Sequence, residues 1–180
     1  MNTHPQTCVQ RYLEIESLLH HFYTFFDYCA AVCIPGLLAL SGGAPVAACC
    51  KNRYYRIYDL EHPSFDLLRK EREALYGRPE DQKESSLVSP CEYHGEKGCR
   101  LKSHKSPVCL SFMCRPAIEN LREKHNIFTY DYLGFNYALE WILSGDMGER
   151  EWENFRESLL EMIRKVSGKQ GKAQGSLPEK

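Results

Sequence analysis

The chain has 180 residues, a formal net charge of −1, 43% hydrophobic and 26% charged residues, which suits one globular domain long enough to bury a core. Near-neutrality excludes bulk attraction to nucleic acid or anionic membrane, so either contact would need a local patch. The opening MNTHPQTCVQRYLE has no basic region followed by an apolar one and does not read as a signal peptide. The most apolar internal run, IPGLLALSGGAPVAACC, is interrupted by proline and glycine and is too short to span a bilayer. A cytoplasmic chain with no membrane segment is expected. Nine cysteines are many for a reducing compartment, where structural disulfides are disfavoured, so metal or redox chemistry is the default reading.

In chain order, residues 5–34 predict one long helix. Cys8, Tyr12, Ile15, Leu19, Phe22, Phe26, Cys29 and Cys33 recur at alternating spacings of four and three, a single apolar stripe at helical period. Pro35-Gly36 ends it. That places Cys29 and Cys33 one turn apart on the buried face. Cys8 lies 21 residues before Cys29, roughly 30 Å along a helix, and reads as a bystander.

Residues 35–61 read as irregular, with a loop over SGGAP leading to the vicinal pair Cys49-Cys50 and NRYYRIYDL as a short strand or helical turn. HPSFDLLRKEREALYG predicts a helix with Pro63 in its first turn and Gly77 as its stop. RPEDQKESSLVSP reads as an exposed, mobile linker. Pro116 belongs in the first turn of a helix that stops at Asn126, because mid-helix it would remove a hydrogen bond. A further helix runs from near Thr129 to Gly145 with Tyr130, Leu133, Tyr137 and Trp141 on one face. The last, from about Glu149 to Val166, carries Trp152, Phe155, Leu159, Ile163 and Val166. There is no internal repeat. The expected fold is mainly α: a single helical domain over 1–166, with an irregular cysteine-rich metal-binding segment between helices, then a disordered tail over 167–180.

CEYHGEKGCRLKSHKSPVCLSFMC, residues 91–114, packs four cysteines into one block. Leaving out Cys8, the candidate ligands are Cys29, Cys33, Cys49, Cys50, Cys91, Cys99, Cys109 and Cys114. The block's C-x7-C-x9-C-x4-C spacing has neither the C-x2-C knuckle of zinc ribbons nor the ferredoxin run. Local chemistry adds to it. Gly95, Gly98 and Pro107 allow tight turns beside the thiols, and Lys97, Arg100, Lys102, Lys105 and Arg115 would offset the charge of bound thiolates.

Cys49-Cys50, a spacer, PCEYHGEKGCRL and then KSPVCLSFMC resemble the YkgJ-type cysteine cluster proteins, a family of zinc- or iron-chelating domains. The matching positions are Cys49 and Cys50, then Cys91, Gly98, Cys99 and Leu101, then Pro107, Cys109 and Cys114. The family's Arg-Pro is Ser106-Pro107 here, and its upstream cysteines are usually closer together than Cys33 and Cys49. The resemblance spans roughly residues 29–116 and implies a cofactor class, not a reaction.

All-cysteine ligation suits zinc or an iron–sulfur cluster. The reading leans to a cluster of the four-iron, four-sulfide type, shielded by Tyr54, Tyr55, Tyr93 and Phe112. His94, at C-x2-H from Cys91, reads as a solvated loop histidine. Cys99 or Cys109 with His94 or His104 could form a Cys–His nucleophile pair, but no flanking signature supports one and no catalytic residue is assigned. KGCRLKSHK and KNRYYRIY mix basic and aromatic residues, yet they read as counter-charges rather than a nucleic-acid surface. The expectation is a metal-binding protein with a structural or redox role. The alternatives are a redox enzyme or electron-transfer accessory protein using the cluster or spare thiols, and a nucleic-acid or protein interaction module stabilised by zinc, an unknown protein being the expected partner before nucleic acid.

Overall fold

The computed structural model describes residues 4–42, 56–57, 62–78, 91, 93–95 and 98–168. Cys49, Cys50, most of NRYYRIYDL and of RPEDQKESSLVSP, and residues 169–180 lie outside these, so the expectations placed on them are not addressed below. The described residues are mainly helical: α1 (Pro5–Phe25), a π-helical turn (Cys29–Cys33), α2 (Ile34–Leu40), α3 (Pro63–Tyr76), a pair of two-residue strands β1 (His94–Gly95) and β2 (Gly98–Cys99), α4 (Pro107–Ser111), α5 (Arg115–His125), α6 (Tyr132–Ser144) and α7 (Glu149–Val166).

α1 is the central element, packed against α3, α6 and α7. Its apolar stripe is buried as periodicity predicts, with Cys8, Tyr12, Ile15, Leu19 and Phe22 inside. Beyond Phe25 the single-helix expectation fails. The chain breaks at residues 26–27, and the segment Cys29–Leu40 turns away from α1 by 49°. Two features account for the break. Phe26 is pinned in the core (4% exposed), stacked on Tyr28 and edge-on to His125. Pro35 has no N–H to give Ala31 and its ring crowds that carbonyl. The chain answers with a wider turn, in which the Ile34 N–H reaches back five residues to the Cys29 carbonyl, a common companion of helix kinks.

Pro35 therefore does not end the helix but sits in the first turn of α2. Nor are Cys29 and Cys33 on a buried face. Cys29 is exposed and Cys33 half-buried, and neither the π turn nor α2 buries any residue.

The later helices start and stop where their caps predict. His62 receives the Ser64 N–H at the start of α3, and Gly77 closes it at φ 75°, a conformation glycine adopts at little cost. Asn126 ends α5 in the left-handed region. Asp131 caps α6 through the Leu133 and Gly134 N–H groups at 3.2 and 3.1 Å. Glu151 reaches back 2.9 Å to the Gly148 N–H at the head of α7.

α6 differs from expectation in its facing. It starts at Tyr132, and its buried residues are Phe135, Leu139, Ile142 and Leu143. Leu133, Tyr137 and Trp141 are about half exposed. Tyr130 precedes the helix and is buried, donating to the Ser111 carbonyl at 2.6 Å and stacked on Phe22 and Phe135. No single helix among the described residues is long and apolar enough to cross a membrane.

Candidate functional site

The cysteine block folds against the end of α3 around one aromatic residue. β1 and β2 pair antiparallel with His94 opposite Cys99 and Gly95 opposite Gly98. The Arg100 N–H extends the hairpin to the Tyr93 carbonyl at 2.8 Å. Tyr93 is fully buried and makes a small second core with Cys91 and Leu101, against which Tyr76 and Cys109 pack. The Arg72 guanidinium lies 5.3 Å from the centre of the Tyr93 ring, a favourable cation–π distance. The Tyr93 hydroxyl donates to the Gly77 carbonyl at 3.3 Å. A handful of side chains thus fastens a nearly strandless segment to α3.

Three of the expected ligands belong to this segment, two of them, Cys91 and Cys109, in the small core. Cys91 is buried, Cys109 half-buried and Cys99 exposed, with the Cys99 Sγ pointing to the Leu101 carbonyl at 3.7 Å. Ser106 caps α4 and accepts the Cys109 N–H at 3.2 Å. Burial, reinforced by the neighbouring Cys91 and Cys99 thiols, pushes the Cys109 thiol up to about 11; Ser106 and Lys105 pull the other way and lose. At neutral pH Cys109 therefore stays protonated, which argues against its service as a free nucleophile. A cation among the three sulfurs would reverse that balance.

Of the other expected ligands, Cys49 and Cys50 lie outside the described residues, and Cys114, Cys29 and Cys33 belong to other parts of the fold. Cys114 precedes α5 and packs on the main core. Cys29 and Cys33 lie on the projecting π turn. Among the described residues no three His, Cys, Asp or Glu side chains form a group able to hold a metal ion. In donor chemistry the residues fit a thiolate-bound metal; their present spacing does not close around one. The basic residues are only partly the counter-charges expected of them. Lys105 acts on Cys109, whereas Arg115 is turned to solvent and pairs with Glu119 at 2.7 Å.

What ties α1 to the block is a set of polar residues that spacing did not single out. Glu16, only 2% exposed, accepts the His104 and Lys105 N–H groups at 2.8 and 3.1 Å. Tyr12 donates to the Lys105 carbonyl at 2.6 Å. The Lys105 ammonium donates to His20 Nε2 at 2.8 Å. Burial, Lys105 and Lys102 drive the His20 imidazole down to about 4, and the Glu16 carboxylate 3.8 Å away does not offset them. From α3, the Tyr76 hydroxyl accepts the Lys102 and Ser103 N–H groups at 3.2 and 3.0 Å. His104, in the left-handed region at φ 59°, is held by Ser103 Oγ at 2.9 Å and Glu71 at 3.1 Å.

One sequence signal pointed to this network. Glu16 lies on the apolar stripe of α1 between Tyr12 and Leu19, and a carboxylate on a buried face needs partners. Comparisons with protein-family models, with curated proteins and with solved structures find no match.

Proposed function

We propose that this chain is a metal-binding protein in which Cys91, Cys99 and Cys109 form the nucleus of a thiolate site for an iron–sulfur cluster or zinc. The observation that supports it is the packing of Cys91 and Cys109 about Tyr93, with Cys99 on the adjoining hairpin. The likeness of PCEYHGEKGCRL and KSPVCLSFMC to the cysteine cluster proteins supports the same reading. Cys114, Cys49, Cys50, Cys29 and Cys33 are candidates to complete it. The role of the bound group is structural or redox. The protein's own part is to supply sulfur donors, to wall them with Tyr76, Tyr93 and Leu101, and to hold them by the contacts from α1 and α3. Binding energy at such sites is folding energy.

Protein purified without oxygen should carry iron and sulfide, or zinc, and Cys91→Ser and Cys109→Ser should each lose most of it. Cys8→Ala should keep it, because Cys8 is buried in α1. A visible absorption band that bleaches reversibly on reduction would mark a redox cluster. Wild-type protein with no iron, sulfide or zinc would sink the reading.

A further inference from the structure

The link from Cys99 to Cys109 is held in an unusual way. Four successive amides, those of Lys102, Ser103, His104 and Lys105, all donate to side chains of other elements. The first two go to the Tyr76 hydroxyl of α3, and the next two go one to each oxygen of the Glu16 carboxylate of α1. Consecutive N–H groups that converge where one residue takes a left-handed conformation make a natural seat for an anion. Here that seat is filled from within the chain, by a carboxylate 2% exposed.

The left-handed residue, His104, is secured in turn. Ser103 Oγ lies 3.0 Å from the Tyr76 hydroxyl and 2.9 Å from His104 Nδ1, while His104 Nε2 lies 3.1 Å from Glu71. Tyr76, Ser103, His104 and Glu71 thus form one continuous hydrogen-bonded chain. The Tyr76 ring itself packs on Cys91, Tyr93 and Leu101. One residue therefore touches the thiol neighbourhood with its ring and fixes the intervening loop with its hydroxyl.

We infer that Glu16 and Tyr76 are positioning residues for the thiol site: by seating the amides of residues 102–105 they set the separation of Cys99 from Cys109. The inference rests on the metal-binding reading for its consequence, since sulfur separation governs how well a cation is held. It has a consequence without metal as well, because Cys109 is kept half-buried only while the loop stays seated. The polar atoms of both side chains meet the amides of the loop, so the effect is exerted through the loop.

The test uses the full-length chain and two variants. Tyr76→Phe keeps the ring on Cys91, Tyr93 and Leu101 and removes only the hydroxyl. Glu16→Gln keeps shape and one acceptor but turns an amide NH2 toward a backbone donor. Amide exchange at residues 102–105 should quicken at least tenfold in both, while the α1 and α7 amides keep their wild-type rates. Alkylation of Cys109 should quicken at least fivefold. Cobalt(II), used as the probe metal, should bind at least tenfold more weakly, read from its thiolate charge-transfer band.

Should Glu16→Gln fail to fold, Tyr76→Phe alone decides. Exchange at 102–105 unchanged in Tyr76→Phe overturns the inference, as does faster exchange with unaltered Cys109 alkylation. If wild-type protein binds no cobalt(II), iron or zinc, the metal-binding reading falls, and positioning is then judged on the alkylation rate.

Discussion

The bundle around α1 and the segment around Tyr93 are held together by different physics. The bundle buries a continuous apolar set from six helices, including Leu19, Phe22, Leu121, Leu139 and Leu159, and its ion pairs are peripheral. Arg156 meets Glu14 at 2.8 Å across α1 and α7, with both partners more than a third exposed, a geometry worth little in water. The thiol segment buries only Cys91, Tyr93 and Leu101 with help from Tyr76 and Cys109. Its conformation is fixed instead by hydrogen bonds to Glu16, Tyr76, Tyr12 and Ser106. Non-directional burial tolerates small displacements, whereas a loop held by directional bonds either keeps its shape or loses it. That makes the segment suited to presenting sulfurs and poor at surviving the loss of a partner.

The largest effects should come from breaking the bundle. Leu19→Ala or Leu139→Ala removes a fully buried side chain and should cost about 2–5 kcal/mol, the spread reflecting how far each cavity collapses. Urea titration followed by far-ultraviolet circular dichroism would measure it. A loss below about 1 kcal/mol would mean that α1 and α6 are not packed as described. Tyr93→Leu attacks the other region. It forfeits the Arg72 contact and the Gly77 hydrogen bond, together about 1–3 kcal/mol. The contrast is in extent: amide exchange should quicken around residues 91–106 and not in α7. Uniform loosening of both would erase the distinction drawn between them.

The two regions were also unequally legible in the sequence. Pro63 with Gly77, Pro116 with Asn126, and the run from Glu149 to Val166 mark helix ends by local chemistry that no distant contact overrides, and α3, α5 and α7 lie there. The break after Phe25 left no such mark, because the apolar spacing runs on through Cys29 and Cys33 while the cause lies in the anchoring of Phe26 and the needs of Pro35. α6 misled for another reason. YLGFNYALEWILS has one charged residue and is apolar nearly all round, so an i, i+4 series can be drawn on either side. The cysteines of the thiol segment could be picked out from their clustering, but of the residues that hold it only Glu16, a carboxylate on an apolar stripe, carries a local sign. Glu16 and His104 are 88 positions apart, and nothing local announces their meeting.

A smaller effect should appear on acidification, and its sign follows from His20. Its folded-state value, about 4, lies below the ordinary imidazole value, so the unfolded chain binds a proton where the folded chain does not. Stability from this residue is intact above about pH 6.5 and drains away as pH falls toward 4. Full conversion of the shift would overstate the loss, because His20 is about a third exposed and screened; about 1–2 kcal/mol is expected. His125, lowered by burial and Lys124, adds in the same direction. Glu16, raised by burial, acts oppositely, gaining relative stability as pH falls toward the ordinary carboxylate value. His20→Gln keeps an acceptor for Lys105 and removes the titration. The stability difference between wild type and variant should shift by that amount from pH 7 to 4.5, with wild type losing more. A difference that stays flat would mean that His20 is open to water and not enclosed by the loop.

The smallest effect is the most diagnostic of how α6 sits. Leu139 and Trp141 are two positions apart, yet one is fully buried and the other 54% exposed. Sequence offers little to choose between them, since leucine and tryptophan are both largely buried on average. If the helix is oriented as described, Trp141→Ser should change stability by no more than about 0.5 kcal/mol, against the several expected for Leu139→Ala. Tyr137→Ser on the same face should behave alike. A helix rolled by roughly half a turn would invert the pair, making Trp141 costly and Leu139 cheap. The two substitutions together fix the roll of α6 against α1, and with it the surface on which Leu133, Tyr137 and Trp141 face solvent.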